Sequence, residues 1–392
     1  MRIFTPPSSC SNSRDTEGRL TMLIQNAKAF IDGKFQEKTD LLIRDGRISA
    51  IGTGLAAEGE ELLDLGGDLL LPGFVDVHIH AFKGMDTMQG EEAVRHMSRE
   101  LKKVGVAAFL PTTMSASPED TVKALAGVKA VMERPEPDGA IVLGAHMEAP
   151  FLAEAKAGAQ LKQYFVDPDE ENWQRYTGGL ESVVRLITMA PERAGALAFI
   201  SALTKKGITV SIGHTTADAE TTHAAAEAGA THVTHTFNAQ TPLNHRAPGV
   251  PGAALVDDRL QCEVISDGIH LHPDIVKLII RTKGKEKLVA ITDAMEAAGM
   301  PDGQYQLGGQ EVFVHEGAAR LKDGTLAGST LTMIRAFQNL IRFGATPEEA
   351  ALMTTKTPAL SIGNEELGEI ELGAPAIFSR FDENYAFKGT VG

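Results

Sequence analysis

Two cysteines in 392 residues, Cys10 and Cys262, leave no room for a disulfide framework. They lie far apart and fit no metal-ligand spacing, so a reduced, cytoplasmic setting is expected. No apolar run approaches the roughly 20 residues needed to cross a bilayer. The opening stretch MRIFTPPSSCSNSRDTEGRLT lacks the apolar segment of a signal peptide and is rich in serine, proline and charge. Residues 1–21 are therefore expected to be a disordered leader. Positive charge is also scarce: 37 Lys and Arg stand against 52 Asp and Glu, for a net charge of −15. That balance argues against nucleic acid or an anionic membrane as partner. An anionic substrate would need a local cationic pocket to overcome the global field.

What is present is ordinary globular material, 43% hydrophobic and 23% charged, enough for a large core. Residues 22–72 read as short strands with Asp32-Gly33 and Asp45-Gly46 as hairpin turns, ending at Pro72-Gly73. Eight short apolar runs then follow, at 74–80, 106–113, 141–150, 186–192, 208–215, 232–239, 262–270 and 288–295. Continuous apolar runs suit buried parallel strands. The segments between them are helix-like, and one opens with Ser117 as N-cap and Pro118 at the first helical position. Eight such repeats predict an α/β fold, a TIM (β/α)8 barrel over residues 73–365. A hairpin is expected over 304–326 and a closing helix over 330–344. The tail, residues 366–392, is β-like and is expected to join 22–72 in a small β-sandwich domain built from both chain ends.

A TIM barrel carries its active site at the carboxyl ends of its strands. Several runs end there in a potential ligand: His78 and His80, Glu148, His214, His235, Asp267 and His270, and Asp293. His78 and His80 are two apart on a strand and so face the same side. Taken singly, each has an ordinary reading: packed histidines, a strand-end salt bridge, plain polar residues. His96, His146, His223, His232 and His315 are left to that reading. The convergence of His78, His80, Glu148, His214, His235 and Asp293 on one rim predicts a catalytic divalent-metal site. These six can hold two ions with Glu148 bridging.

The stretches LPGFVDVHIHAFKG, GAHMEAPFL, KAGAQ, SIGHTTAD, THTFNAQTPLNHRAPG, SDGIHLHP, ITDAM and DGTLAGSTLTM carry a resemblance that spans about residues 22–372. On them the chain resembles the amidohydrolase superfamily and, within it, the N-acetylglucosamine-6-phosphate deacetylase family. The resemblance implies metal-dependent removal of the acetyl group of N-acetylglucosamine 6-phosphate, in amino-sugar catabolism. It implies that Glu148, His214 and His235 hold the main metal, that His78 and His80 serve a second ion, and that Asp293 is the catalytic acid/base. It also implies a sugar-phosphate pocket lined by Ala159, Gln160, Asn238, Ala239 and Arg246. His270 would come from the neighbouring subunit of a homodimer, and Leu326, Ala327 and Gly328 would close over the substrate.

There are departures. The family usually has glycine where Ala149 stands, and many members have histidine where Gln160 stands, a residue thought to polarise the acetyl carbonyl. Gln160 can still donate a hydrogen bond through its amide. The tail lacks the usual final strands in clear form. The run at 186–192 offers Thr188, Met189 and Glu192 but no lysine. Hydantoinase- and dihydroorotase-like enzymes use a carbamylated lysine there, so its absence argues against them. The galactosamine epimer, another N-acyl amide as substrate and a non-catalytic relative remain alternatives. Zinc is the expected ion, and iron(II), manganese or cobalt suit the same ligands.

Overall fold

The structure is a computed structural model that describes residues 21–56 and 59–392. The expected leader lies outside the described residues except for Thr21, which opens a strand. The chain divides into two compact units, one comprising the chain up to Pro72 with Glu369–Gly392, the other Gly73–Gly368.

In the first unit, Thr21–Ile31 is central and pairs antiparallel with Lys34–Arg44 across the Asp32-Gly33 turn. Both turn residues have positive φ, 52° and 72°, as a tight two-residue hairpin requires. The tail supplies the antiparallel strands Phe378–Phe381 and Phe387–Val391, the former pairing with Leu69–Pro72. Seven strands make one sheet. Its apolar face buries Ile24, Leu41, Ile48, Leu70 and Phe378 in a single cluster.

The second unit is the barrel. Its strands are β1 (Phe74–Ile79), β2 (Val106–Thr113), β3 (Ala145–Met147), β4 (Val184–Met189), β5 (Thr209–Ile212), β6 (His232–Val233), β7 (Gln261–Ile265) and β8 (Leu288–Ile291). They run parallel in sequence order. The ring closes where the Asp293 amide donates to His78 O at 2.8 Å and the His80 amide donates to Ala294 O at 3.0 Å. β1 and β2 are buried at every position, as continuous apolar runs demand. The helix Pro118–Glu133 starts where Ser117 Oγ accepts from the Asp120 amide.

Beyond β8, the expected hairpin is a three-stranded antiparallel meander, Gly303–Leu307, Gln310–His315 and Ala318–Arg320. The expected closing helix is Met333–Phe343. Two further helices, Pro347–Thr354 and Lys356–Ser361, follow it. Among the described residues no helix is long and apolar enough to cross a membrane.

Candidate metal centre

The carboxyl ends of β1, β3, β5, β6 and β8 bring His78, His80, Glu148, His214, His235 and Asp293 together, none more than 8% exposed. They form two triads: His78, His80 and Asp293, and Glu148, His214 and His235. Three of these residues leave the strand conformation to reach the centre. His214, His235 and Asp293 have φ of 47°, 30° and 50°. Left-handed backbone at non-glycine residues is costly and concentrates at functional sites. The run 232–239 is a strand only at its first two residues and then coils through further positive φ at Phe237 and Ala239.

The spacing suits bound cations. Ligands about 2.0–2.1 Å from a tetrahedral ion stand roughly 3.3 Å from one another. Glu148 Oε1 lies 3.2 Å from His214 Nε2 and 3.0 Å from His235 Nε2, which are themselves 3.1 Å apart. Asp293 Oδ1 lies 3.4 Å from His78 Nε2 and 3.2 Å from His80 Nε2. Glu148 spans the triads, since its Oε2 is 3.1 Å from His80 Nε2.

The tautomers fit as well. His214 Nδ1 donates to Lys156 O at 2.8 Å, which leaves an Nε2 lone pair facing inward. His78 Nδ1 lies 3.1 Å from Glu263 Oε2, a carboxylate–histidine pairing that orients metal-bound imidazoles. Lone pairs from two imidazoles and a carboxylate aimed at one point want a cation between them. With protons as the only cations, the electrostatics say the same. Burial presses the His80 imidazole down, but Asp293 and Glu148 outweigh it and raise its pKa to about 10. Burial likewise opposes ionisation of Glu148, yet His78, His214, His235 and His80 hold it well below the ordinary carboxylate range.

Several supporting residues carried no signal in the sequence. Glu263 is fully buried within β7, one position from Cys262, and reads there as strand interior. Asp76 accepts from Thr292 Oγ1 at 2.6 Å and its amide at 3.2 Å, tying β1 to β8, and burial raises its pKa to about 6. His146 lies beneath the centre, edge-on to His78 with centroids 4.5 Å apart, and its Nε2 meets Thr188 Oγ1 at 2.8 Å. Burial, then the His78 charge, drive its pKa well below the usual value, so it stays neutral.

The centre opens into a cavity of about 330 Å³. Of the expected substrate residues, Ala159, Gln160, Asn238 and Ala239 line it. So do Leu326 and Gly328, while Ala327 is buried in an apolar cluster with Met295 and Leu307. His270 lines the cavity of its own chain, its Nδ1 2.7 Å from Asp267 Oδ2. Arg246 is exposed and lies outside the lining. Among the described residues Lys156 is the one lysine or arginine that lines the cavity, a cation the motifs did not single out. The Gln160 amide is directed at Glu148, with Nε2 2.5 Å from Oε2.

A barrel with two histidine–carboxylate triads at its carboxyl rim defines a metal-dependent hydrolase, and the chain belongs to the amidohydrolase family, whose model matches residues 69–389. More particularly, it is 37% identical over 379 residues to an N-acetylglucosamine-6-phosphate deacetylase of Lysinibacillus sphaericus, covering 95% of this chain and 96% of that one. It is 35% identical over 364 residues to an N-acetylgalactosamine-6-phosphate deacetylase of Escherichia coli O157:H7, covering 91% and 94%. A solved Mycobacterium smegmatis N-acetyl-D-glucosamine-6-phosphate deacetylase variant, in complex with N-acetyl-D-glucosamine-6-phosphate, superposes with a TM-score of 0.87 at 32% identity, covering 95% of this chain and 97% of that one.

Proposed function

We propose that this chain hydrolyses the N-acetyl group of N-acetyl-D-glucosamine 6-phosphate to give D-glucosamine 6-phosphate and acetate. The observation that carries the reading is the pair of buried triads, linked by the approach of Glu148 to His80, at a cavity. Divalent cations held there (zinc first, with iron(II), manganese and cobalt as alternatives) polarise an amide carbonyl and acidify water.

Asp293 faces both the His78–His80 pair and the cavity, so it can reach an entering water and the amide nitrogen in turn. It accepts the proton that water loses as the new carbon–oxygen bond forms. It then gives that proton to the nitrogen as the carbon–nitrogen bond breaks. The sugar lies against Ala159, Asn238, Ala239 and Leu326. Its phosphate is assigned to Lys156 and His270 of the cavity wall and, on its motif alone, to Arg246. We infer a cytoplasmic homodimer, and sedimentation equilibrium tests the dimer.

The relative from Escherichia coli favours the galactosamine epimer as a second reading. The test is acetate release from both epimers and from free N-acetylglucosamine, before and after chelation. Turnover of N-acetylglucosamine 6-phosphate that chelation abolishes and metal restores is the expected result. A preference for the epimer would move the assignment to it, and no turnover of any by metal-loaded protein would sink the deacetylase reading.

A further inference from the structure

Gln160 is buried at the edge of the cavity with both ends of its amide engaged. Its Oε1 accepts from the Ser115 amide at 2.7 Å, and its Nε2 donates to Glu148 Oε2 at 2.5 Å. The next residue reinforces the anchor, since the Leu161 amide donates to Ser115 Oγ at 2.5 Å. The end of β2 thereby fixes Gln160, and Gln160 fixes Glu148.

Glu148 is the residue that needs fixing. The terminal torsion of a glutamate is broad and soft. Left alone, the carboxylate is free to turn both oxygens on a single cation. Here Oε1 lies 3.2 and 3.0 Å from His214 and His235 and more distantly, at 3.5 Å, from His78, while Oε2 lies 3.1 Å from His80. Each carboxylate oxygen has two lone-pair directions. The Gln160 N–H takes one direction of Oε2 and leaves the other for the His78–His80–Asp293 triad. A neutral donor does this without cancelling the carboxylate charge that a cation requires.

The geometry points to Gln160 as a positioning residue that holds Glu148 in its bridging orientation and so makes the second triad a metal site. This rests on the metal-hydrolase reading above, but its test needs no substrate.

The experiment measures metal binding to the full chain, stripped by chelator and reloaded with Mn²⁺, in wild type, Gln160→Leu and Gln160→Ala. Titration calorimetry gives the number of equivalents, and electron paramagnetic resonance reports whether the two spins couple through a bridging ligand. Wild type is expected to bind two equivalents with a coupled signal. Both variants are expected to keep the first equivalent, to weaken the second about 10–100-fold and to lose the coupling, the range for lost outer-shell partners. Either side chain faces the cavity, so truncation leaves no sealed void, and circular dichroism checks the fold. If one variant fails to fold, the other decides, and Ser115→Ala, which keeps the backbone amide bound to Gln160 but removes the Oγ that holds the Leu161 amide, is expected to weaken the second equivalent in the same direction and by less. Two equivalents with intact coupling in a folded variant would overturn the proposal, as would a single equivalent in wild type. A wild type that couples two ions yet deacetylates nothing would sink the function and leave the role of Gln160 standing.

Discussion

At the residue scale, proton transfer and ligation are both within reach of Asp293, and substitution separates them. Asp293→Asn keeps an oxygen 3.2–3.4 Å from the two histidines but removes the base. A positioned proton-transfer group contributes about 10²–10⁴-fold to rate. We therefore expect kcat to fall by that factor while elemental analysis finds the metal content of wild type. Loss of metal in step with activity would make Asp293 a ligand only. The proposed phosphate contacts can be tested in the same manner. Lys156→Ala and Arg246→Ala are each expected to raise KM for the phosphorylated sugar about tenfold or more, since a hydrogen bond to a charged group is worth about 1.5–3 kcal/mol. KM for the unphosphorylated sugar should stay within about twofold. Equal losses on both sugars would remove that residue from the phosphate site. An effect confined to Lys156 would match its place in the cavity wall and the exposed position of Arg246.

At the scale of elements, the eight barrel strands were legible because buried parallel strands write themselves as uninterrupted apolar runs. The six residues that meet at the centre were legible because five of those runs carry a histidine or a carboxylate at their carboxyl ends. The supporting layer was not. Glu263 touches His78 from a strand two-thirds of the way down the chain, and no local pattern reports a pairing of residues 185 positions apart. Gln160 was legible as a cavity residue through its motif, but the direction of its amide depends on Ser115, which lies on another element. The coil at His235 was hidden for a different reason: its left-handed residues are not glycines, so composition gave no warning.

One element-scale constraint is sharp. A Cβ on Gly213 would stand 2.6 Å from Thr234 Cβ and 2.7 Å from Thr188 Cγ2, where β4, β5 and β6 meet. Overpacking of this kind costs about 1–3 kcal/mol. Gly213→Ala is expected to lower stability to urea by that amount and, by displacing His214 next to it, to weaken metal binding. A midpoint and metal affinity equal to wild type would show that the three strands yield without moving the site.

At the scale of the whole molecule, folding and metal loading are linked through protons. The chain carries a net charge of −15, yet it concentrates four histidines around two carboxylates in its interior. Without metal, protons are the cations that keep this cluster neutralised, and His80 holds its proton up to about pH 10 against an ordinary value near 6.5. A raised pKa in the folded state stabilises the metal-free protein fully below the unfolded value of about 6.5. That contribution fades as pH rises towards 10. The metal-free protein should therefore lose thermal stability between pH 7 and pH 10 by more than the loaded protein, in which the ion replaces the proton. Loading at neutral pH must expel what His80 carries, so at least one proton is released per chain, and apparent affinity rises up to tenfold per pH unit for each proton displaced. Calorimetry in buffers of differing ionisation enthalpy measures that count. Release of the His80 proton with the first equivalent would show that the triads are linked through the approach of Glu148 Oε2 to His80, whereas release only with the second would confine it to the His78–His80–Asp293 triad. No release at all would mean that the folded, metal-free centre is already deprotonated, and the expected alkaline loss of stability would then be absent too.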